Sequence, residues 1–465
     1  MTLGGEARNF DLRALTLSFG ECFMSHVFPR DTSSPLPSIV RGEGSYLIDD
    51  AGRRYLDASG GPAVSCLGHN HPKVVEAIQR QVGEVSYAYS LFFTTPAIEE
   101  LAEILTSQAP TGIDKAFFVS GGSEAIEAAL KMARQYFLEI GQPKRCRFIA
   151  RQRSYHGNTL GALSLGGDIN RRQPYEPMLQ PVGHIAPCYE YRHRRIDESA
   201  EEYGLRVADE LEAALLAQGP ETVAAFVCEP VVGASLGAAP PVPGYLKRIR
   251  EICDRYGVLL VFDEVMCGMG RTGYLYACQE DQVTPDIITV AKGLGGGYMP
   301  IGGLLVHERI YRAVAEGSGT LKHGHTYAGH TLACTGALAV QRVIKEEGLL
   351  AEVRRKGQLL RGRLEERFGQ HPNVGDIRGR GLLLGLELVA DRETKATLDP
   401  ARKTWLKIRQ TAMEKGLLCY PGGGCIDGKN GDHIILAPAY NIPDAQLDEI
   451  VDKLGGSLDR VLGTA

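Results

Sequence analysis

Val258-Leu-Leu-Val-Phe-Asp-Glu-Val265 is an unbroken apolar run that leads into two carboxylates. A strand with one wet face alternates apolar and polar residues; this one does not, so both faces are buried, as in a parallel sheet covered by helices. In such sheets ligands bind beyond the C-terminal ends of the strands, which puts Asp263 where function is usually found. Read alone, the same aspartate serves equally as a helix cap or a solvated strand end.

On either side of this run, short apolar segments alternate with helical patterns from about residue 70 to 335: Ala116 to Val119, Arg147 to Ala150, Ala224 to Cys228, Ile287 to Val290 and Gly303 to Val306. This pattern predicts an α/β fold with a mostly parallel central sheet. Residues 38 to 57 read as a hairpin, Ile39-Val40, Tyr46-Leu47-Ile48 and Tyr55-Leu56-Asp57, with a turn at Asp49 to Gly52. After a helical stretch from Cys334 to Phe368 come strand Gly381 to Leu388, helix Arg402 to Lys415, and strands Gly416 to Tyr420 and Asp432 to Leu436. A final amphipathic helix aligns Leu447, Ile450, Val451, Leu454 and Leu458. The expected organisation is an N-terminal segment and hairpin (1–65) joining a smaller α+β domain, a large domain (66–335), and the C-terminal part of the small domain (336–465).

Composition narrows the function. With 51 Lys plus Arg against 56 Asp plus Glu, a net charge of −5 and 44% hydrophobic residues, the chain reads as globular, without a polybasic grip on nucleic acid. Its longest stretch free of Asp, Glu, Lys and Arg, His323 to Gln341, is too polar to cross a membrane. The first 25 residues carry Glu6, Arg8, Asp11, Arg13 and Glu21 and do not resemble a signal peptide. The 11 cysteines are scattered without a CxxC pair, so neither a disulfide framework nor a cysteine zinc site is expected, and a reducing cytoplasm is the simplest compartment.

Four local features share one chemistry. Ile287 to Val290 is followed by Ala291-Lys292-Gly293 and Gly295-Gly296-Gly297; a lysine between a buried strand and a glycine loop loses solvation, which favours the neutral, nucleophilic amine. Taken singly it is one more surface lysine. Together with Asp263 it matches pyridoxal phosphate, which needs a lysine for its aldehyde and a carboxylate for its ring nitrogen. Phe118-Val-Ser-Gly-Gly-Ser123 opens a helix whose free N–H groups favour a phosphate, though it also reads as an ordinary βα turn. Tyr155 in Ser154-Tyr155-His156-Gly157 offers a stacking ring, though a lone tyrosine is more often core. The order cradle, ring, carboxylate, lysine is far more specific than any one of them.

From about Ile39 to Leu458 the sequence resembles the class III, or ω-type, aminotransferases of pyridoxal-phosphate fold type I. The matching blocks are Asp57-Ala-Ser-Gly-Gly, Leu67-Gly-His-Asn-His-Pro72, Ser120 to Lys131, Tyr155-His-Gly157, Glu229-Pro230, Phe262-Asp-Glu-Val265, Gly270-Arg-Thr-Gly273, Ala291-Lys-Gly293, Thr326-Tyr-Ala-Gly-His330 and Arg378-Gly-Arg-Gly-Leu382. The resemblance makes Lys292 the lysine that bonds to the cofactor and then moves a proton at the substrate. It gives Asp263 the pyridine nitrogen, Tyr155 one ring face and Val265 the other, and Gly121, Gly122 and Ser123 the phosphate. Thr326 would reach the phosphate across a homodimer interface, and Glu229 would lie near the cofactor. The pairs His69/His71 and His323/His325 superficially suggest a metal, but the resemblance places them in turns, and no metal site is expected.

Departures from the family pattern bear on substrate. Ser120-Gly121-Gly122-Ser123 replaces Asn-Ser-Gly-Ser, Ile126 replaces an Asn, and Thr331 replaces a Pro. Pro62-Ala63 stands where relatives place an aromatic residue, which suggests an altered pocket bordered by Tyr87, Tyr89, Phe92 and His26. Relatives using 2-oxoglutarate carry an Arg where Ile435 stands, and no arginine occurs from Gly416 to Tyr440. The expected reaction is transfer of an amino group from a primary amine or ω-amino acid to a 2-oxo acid, pyruvate over 2-oxoglutarate. A lyase, decarboxylase or aminomutase would use the same lysine and aspartate, and a cofactor-binding protein without turnover is the alternative from another class.

Overall fold

The computed structural model describes residues 26–32 and 36–463. It divides into a short unit, Met1–Ser38, whose described residues form no helix or strand, and a second unit, Ile39–Ala465, which holds all the described helices and strands. The expectation about the first 25 residues lies outside the described residues.

The hairpin is present as β1 (Ile39–Glu43), β2 (Tyr46–Asp49) and β3 (Arg54–Asp57), antiparallel throughout. Its turn is held by Asp49, whose Oδ1 accepts the Ala51 and Arg53 amides at 3.1 and 2.8 Å, the local trick by which an aspartate substitutes for a backbone turn bond.

The large sheet comprises β4 (Ile113–Val119), β5 (Arg147–Arg151), β6 (Gly183–Ile185), β7 (Val223–Cys228), β8 (Leu259–Asp263), β9 (Ile287–Val290) and β10 (Gly302–His307). The seven strands run β4-β10-β9-β8-β7-β5-β6. All pairs are parallel except those of β10, which is antiparallel to both β4 and β9. Two reversals restore direction, so β4, β5, β7, β8 and β9 all end at one edge. Leu259 to Phe262 are fully buried, each side chain contributing ~1.5–3 kcal/mol. A one-residue slip would exchange two well-packed faces, so the register is firm and Asp263 stays at the strand end.

The C-terminal third forms β11 (Val374–Arg380), β12 (Leu383–Leu388), β13 (Leu417–Leu418), β14 (Tyr420–Gly423) and β15 (Asp432–Leu436), in a second sheet of order β11-β12-β15-β14, with β13 pairing parallel to β3 of the hairpin. Leu56 and Ala58 accordingly share one apolar core with Leu384, Leu386, Ile434 and the last helix, Asp444–Leu462.

Four details differ from the sequence expectation. The edge strand β6 has only three residues, Gly-His-Ile, too few to show a period. The edge strand β11 reads Val-Gly-Asp-Ile-Arg-Gly-Arg, with no apolar run to mark it, because Arg378 bonds to Glu387 and Arg380 to Asp281. The stretch Gly416 to Tyr420 is two strands in two sheets. Cys334 to Phe368 is two helices, Thr331–Glu346 and Leu349–Phe368, parted at Gly348, whose φ of 63° only glycine adopts without strain.

Candidate active site

The shared strand edge gathers five of the expected features, each from a different strand. Ser120 to Ser123 follow β4, Tyr155 and His156 follow β5, Glu229 follows β7, Asp263 closes β8, and Lys292 follows β9. Because β8 lies between β9 and β7, Asp263 stands between the lysine and the glutamate.

Asp263 is buried, and its Oδ2 lies 2.8 Å from Nδ1 of His156, itself buried. Its Oδ1 accepts the Val265 amide at 3.0 Å, which turns the chain so that Val265 points back over the strand end. The other ring nitrogen, Nε2, is buried with no hydrogen-bond partner among the described residues. Thr289 Oγ1 adds a longer contact to Asp263, 3.4 Å.

Glu229 is buried beside Arg151, with Oε2 3.6 Å from Nη2 of Arg151, beyond hydrogen-bond reach. Its Oε1 accepts the Tyr155 amide at 3.4 Å. Burial raises its proton affinity above the usual carboxylate range, helped by Asp263 and opposed by His156 and Arg151. Glu264 points the other way, accepting the Cys278 amide at 2.9 Å, and burial pushes it up to about 7.

Lys292 follows β9 in a short turn, Lys292–Leu294, with φ of 42°, a left-handed conformation that costs a non-glycine residue energy and that clusters at functional sites. Partly accessible by surface area, its amine makes no hydrogen bond to a described residue. Loss of solvation lowers its pKa, against the attraction of Asp263 and Glu229 and aided by the charge of Arg171.

The helix Gly122–Glu139 begins with Gly121 as its cap. A Cβ on Gly122 would lie 2.9 Å from Cγ1 of Val265, and one on Gly302 would lie 2.5 Å from the Gly121 backbone. Glycines therefore let this turn press between β10 and Val265. A Cβ on Gly121, by contrast, would meet nothing within 4 Å, so there is open space beside the helix start. Ser123 Oγ accepts the Asn158 amide at 2.9 Å, tying the turn to the loop that carries Tyr155.

A partly accessible amine of lowered pKa, a buried carboxylate at a strand end and an open helix N-terminus fit the aldehyde, ring nitrogen and phosphate of pyridoxal phosphate. The sequence matches the class-III aminotransferase family over residues 27–458. It is 46% identical over 423 residues to an uncharacterized aminotransferase of Schizosaccharomyces pombe, covering 91% of this chain and 92% of the relative. The chain belongs to the class-III aminotransferases.

This class-III aminotransferase is also 36% identical to a putrescine–pyruvate aminotransferase of Pseudomonas aeruginosa, with 91% of this chain and 90% of the relative aligned. Among solved structures, a 4-fold mutant of a thermostable omega transaminase from Pseudomonas jessenii superimposes with a TM-score of 0.89 at 32% identity, covering 95% of this chain and 98% of the other. The fold is that of the fold type I enzymes, and the cofactor is pyridoxal phosphate.

Thr326 does not join the strand-edge group within the chain. It is exposed, its carbonyl accepts from Tyr87 Oη at 2.7 Å, and its hydroxyl bonds to no described residue. His323 and His325 face one another edge to face at 4.8 Å, and no described cluster of three or more His, Cys, Asp or Glu could hold a metal. Tyr87 packs on Tyr327, while Tyr89 packs on Phe92. Ten described cysteines are free, and no described helix is long and apolar enough to cross a membrane. Sequence reasoning passed over His156, although it lay inside a quoted block, because its partner Asp263 is 107 positions away. It also passed over Arg151 and Arg171, which carry no motif.

Proposed function

We propose that this enzyme moves an amino group from a primary amine or ω-amino acid to a monocarboxylic 2-oxo acid, pyruvate in preference to 2-oxoglutarate. The carrying observation is Ile435, fully buried on β15 in an apolar cluster with Ala63, Val231, Cys267 and Ala437. Where 2-oxoglutarate-using relatives hold the acceptor's carboxylate with arginine, this chain has packed hydrocarbon. Each carboxylate buried without a partner would cost several kcal/mol, and a dicarboxylic acceptor brings two. The relative named for putrescine and pyruvate supports the choice of acceptor.

When bound, pyridoxal phosphate supplies an electron sink for negative charge at the substrate's Cα. Lys292, its neutral form favoured by burial, takes the proton from that carbon and returns it. Asp263, fixed by His156 and the Val265 amide, keeps a proton on the ring nitrogen. Tyr155 and Val265 clasp the ring, Gly121, Gly122 and Ser123 hold the phosphate, and Glu229 keeps Tyr155 in place through its amide. Thr326 completes the phosphate site of a partner subunit in a homodimer, a role open to a threonine that is exposed in its own chain. The cytoplasm is the expected compartment. Within residues 39–463, a small domain that joins the hairpin to residues 336–463 beside a large one of 66–335 is supported by the β3–β13 pairing and the core that the hairpin shares with the C-terminal third.

With one saturating amine donor, kcat/KM for pyruvate should exceed that for 2-oxoglutarate by about tenfold for each ~1.4 kcal/mol of unpaired charge. A preference for 2-oxoglutarate would sink the acceptor assignment.

A further inference from the structure

The absence of arginine from Gly416 to Tyr440 leaves the acceptor's own carboxylate without an evident partner. A second place on the chain supplies a guanidinium. Asp168 caps the short helix Ile169–Arg172 and is flanked by two arginines. Arg153 is buried, with Nη2 3.2 Å from Asp168 Oδ1 and Nη1 donating to the Gly424 carbonyl at 3.3 Å. Arg171 reaches the other oxygen, Nε to Oδ2, at 3.3 Å. One carboxylate thus serves two guanidiniums. The neighbouring Glu176 lies nearest Arg172, at 3.4 Å, and Asp427 accepts from Asn430 and the Lys429 amide, so neither is bonded to Arg153 or Arg171.

The two arginines are placed differently. Arg153 is held inside and pins the glycine-rich loop at Gly424. Arg171 is 38% exposed, and its guanidinium carbon stands 4.7 Å from the centroid of the Tyr155 ring. Only its Nε is hydrogen-bonded; the two terminal NH2 groups, the pair that grips a carboxylate side by side, bond to no described residue. Its charge is felt at the Lys292 amine, where it opposes protonation. The short helix is fixed in turn by Asn170, whose Nδ2 donates to the Gly428 carbonyl.

We propose that Arg171 is the carboxylate-binding residue of the substrate pocket, held in place by Asp168 and the Tyr155 ring, and that it takes the single carboxylate of the 2-oxo acid or amino acid. This deepens the aminotransferase reading and rests on it. One guanidinium at the Tyr155 side, with apolar packing at Ile435, recognises a monocarboxylic acid and offers nothing to a second carboxylate. Arg153 is a positioning residue: it shares Asp168 and anchors the loop, and it leaves Arg171 the free hydrogen-bond donors.

The test compares wild type, Arg171→Gln and Arg171→Lys as holoenzymes. Propionate, an unreactive monocarboxylate, is titrated while the absorbance of the lysine-bound cofactor is followed. Arg171→Gln should weaken propionate at least tenfold, with Arg171→Lys between it and wild type because the charge remains and the fork is lost. In half-reactions, Arg171→Gln should raise KM for pyruvate at least tenfold more than KM for butylamine, which has no carboxylate, with kcat changed far less than KM. Equal propionate binding in all three proteins, or equal losses for pyruvate and butylamine, would overturn the assignment. So would weakened cofactor binding with unchanged carboxylate selectivity. A wild type that prefers 2-oxoglutarate would instead overturn the acceptor reading and leave the propionate result to stand on its own.

Discussion

The strand-edge cluster and the region around Arg171 are built in opposite ways. Asp263, His156, Glu229 and Arg151 are buried, each at or just beyond the end of a strand whose register is fixed by packing on both faces. Arg171, Asp168 and the Gly424 to Gly431 loop sit on a four-residue helix and a glycine-rich connection, partly exposed and held by a few hydrogen bonds. The first arrangement suits chemistry that every substrate needs; the second can change without disturbing the sheet. Rigid strand ends suit a cofactor that every substrate shares, and loops suit selectivity.

That contrast is tested most severely at Lys292. Lys292→Ala should reduce turnover of every amine and acceptor to the detection limit and abolish the borohydride-reducible link between protein and cofactor; a surviving link would show that another lysine does the work.

Next in size is Asp263→Asn, which should lower kcat on the order of 10²–10³-fold for all substrates alike, measured as single-turnover rates with a carboxylated and an uncarboxylated donor. A loss confined to one donor would place Asp263 among the selectivity residues.

His156→Phe removes the partner of a buried carboxylate. The expected cost is about 1–3 kcal/mol of stability, read from urea unfolding, together with a smaller fall in kcat. Unchanged stability would mean that water or the Val265 amide already satisfies Asp263.

A separate effect, outside both regions, is a dependence on pH in the second sheet. His433, on β15, is buried against Gly237 and Gly422, and burial with the charge of Arg378 lowers its pKa to about 4. The unfolded chain takes up this proton near pH 6.5 while the folded chain refuses it until about 4, so stability falls as pH drops through that window, by roughly 3 kcal/mol at the limit. His433→Gln should lose less of its unfolding midpoint between about pH 7 and 4.5 than wild type; parallel curves would assign the acid sensitivity to other groups.

Much of this was legible in the chain. The apolar runs ending at Cys228, Phe262 and Val290 marked the buried strands, because a strand covered on both faces has to be apolar at every position. The candidate cofactor residues could be named from the sequence, since strand ends and glycine turns are local signals. The polar strand β11 and the three-residue β6 escaped, one disguised by arginines that find their carboxylate partners only in the fold and the other too short for any period.

Residue type at short range along the chain was enough for the α/β class, the family and the cofactor, and for naming a lysine, carboxylate, ring and cradle as candidates. The groups that face them emerged only from the folded chain: His156 against Asp263, Arg151 beneath Glu229, Arg171 over Tyr155 and hydrocarbon around Ile435. Such pairings join strands that are adjacent in the sheet but far apart in sequence. The strand order that brings them together comes from packing two layers of helices on one sheet, which no local pattern of residues encodes.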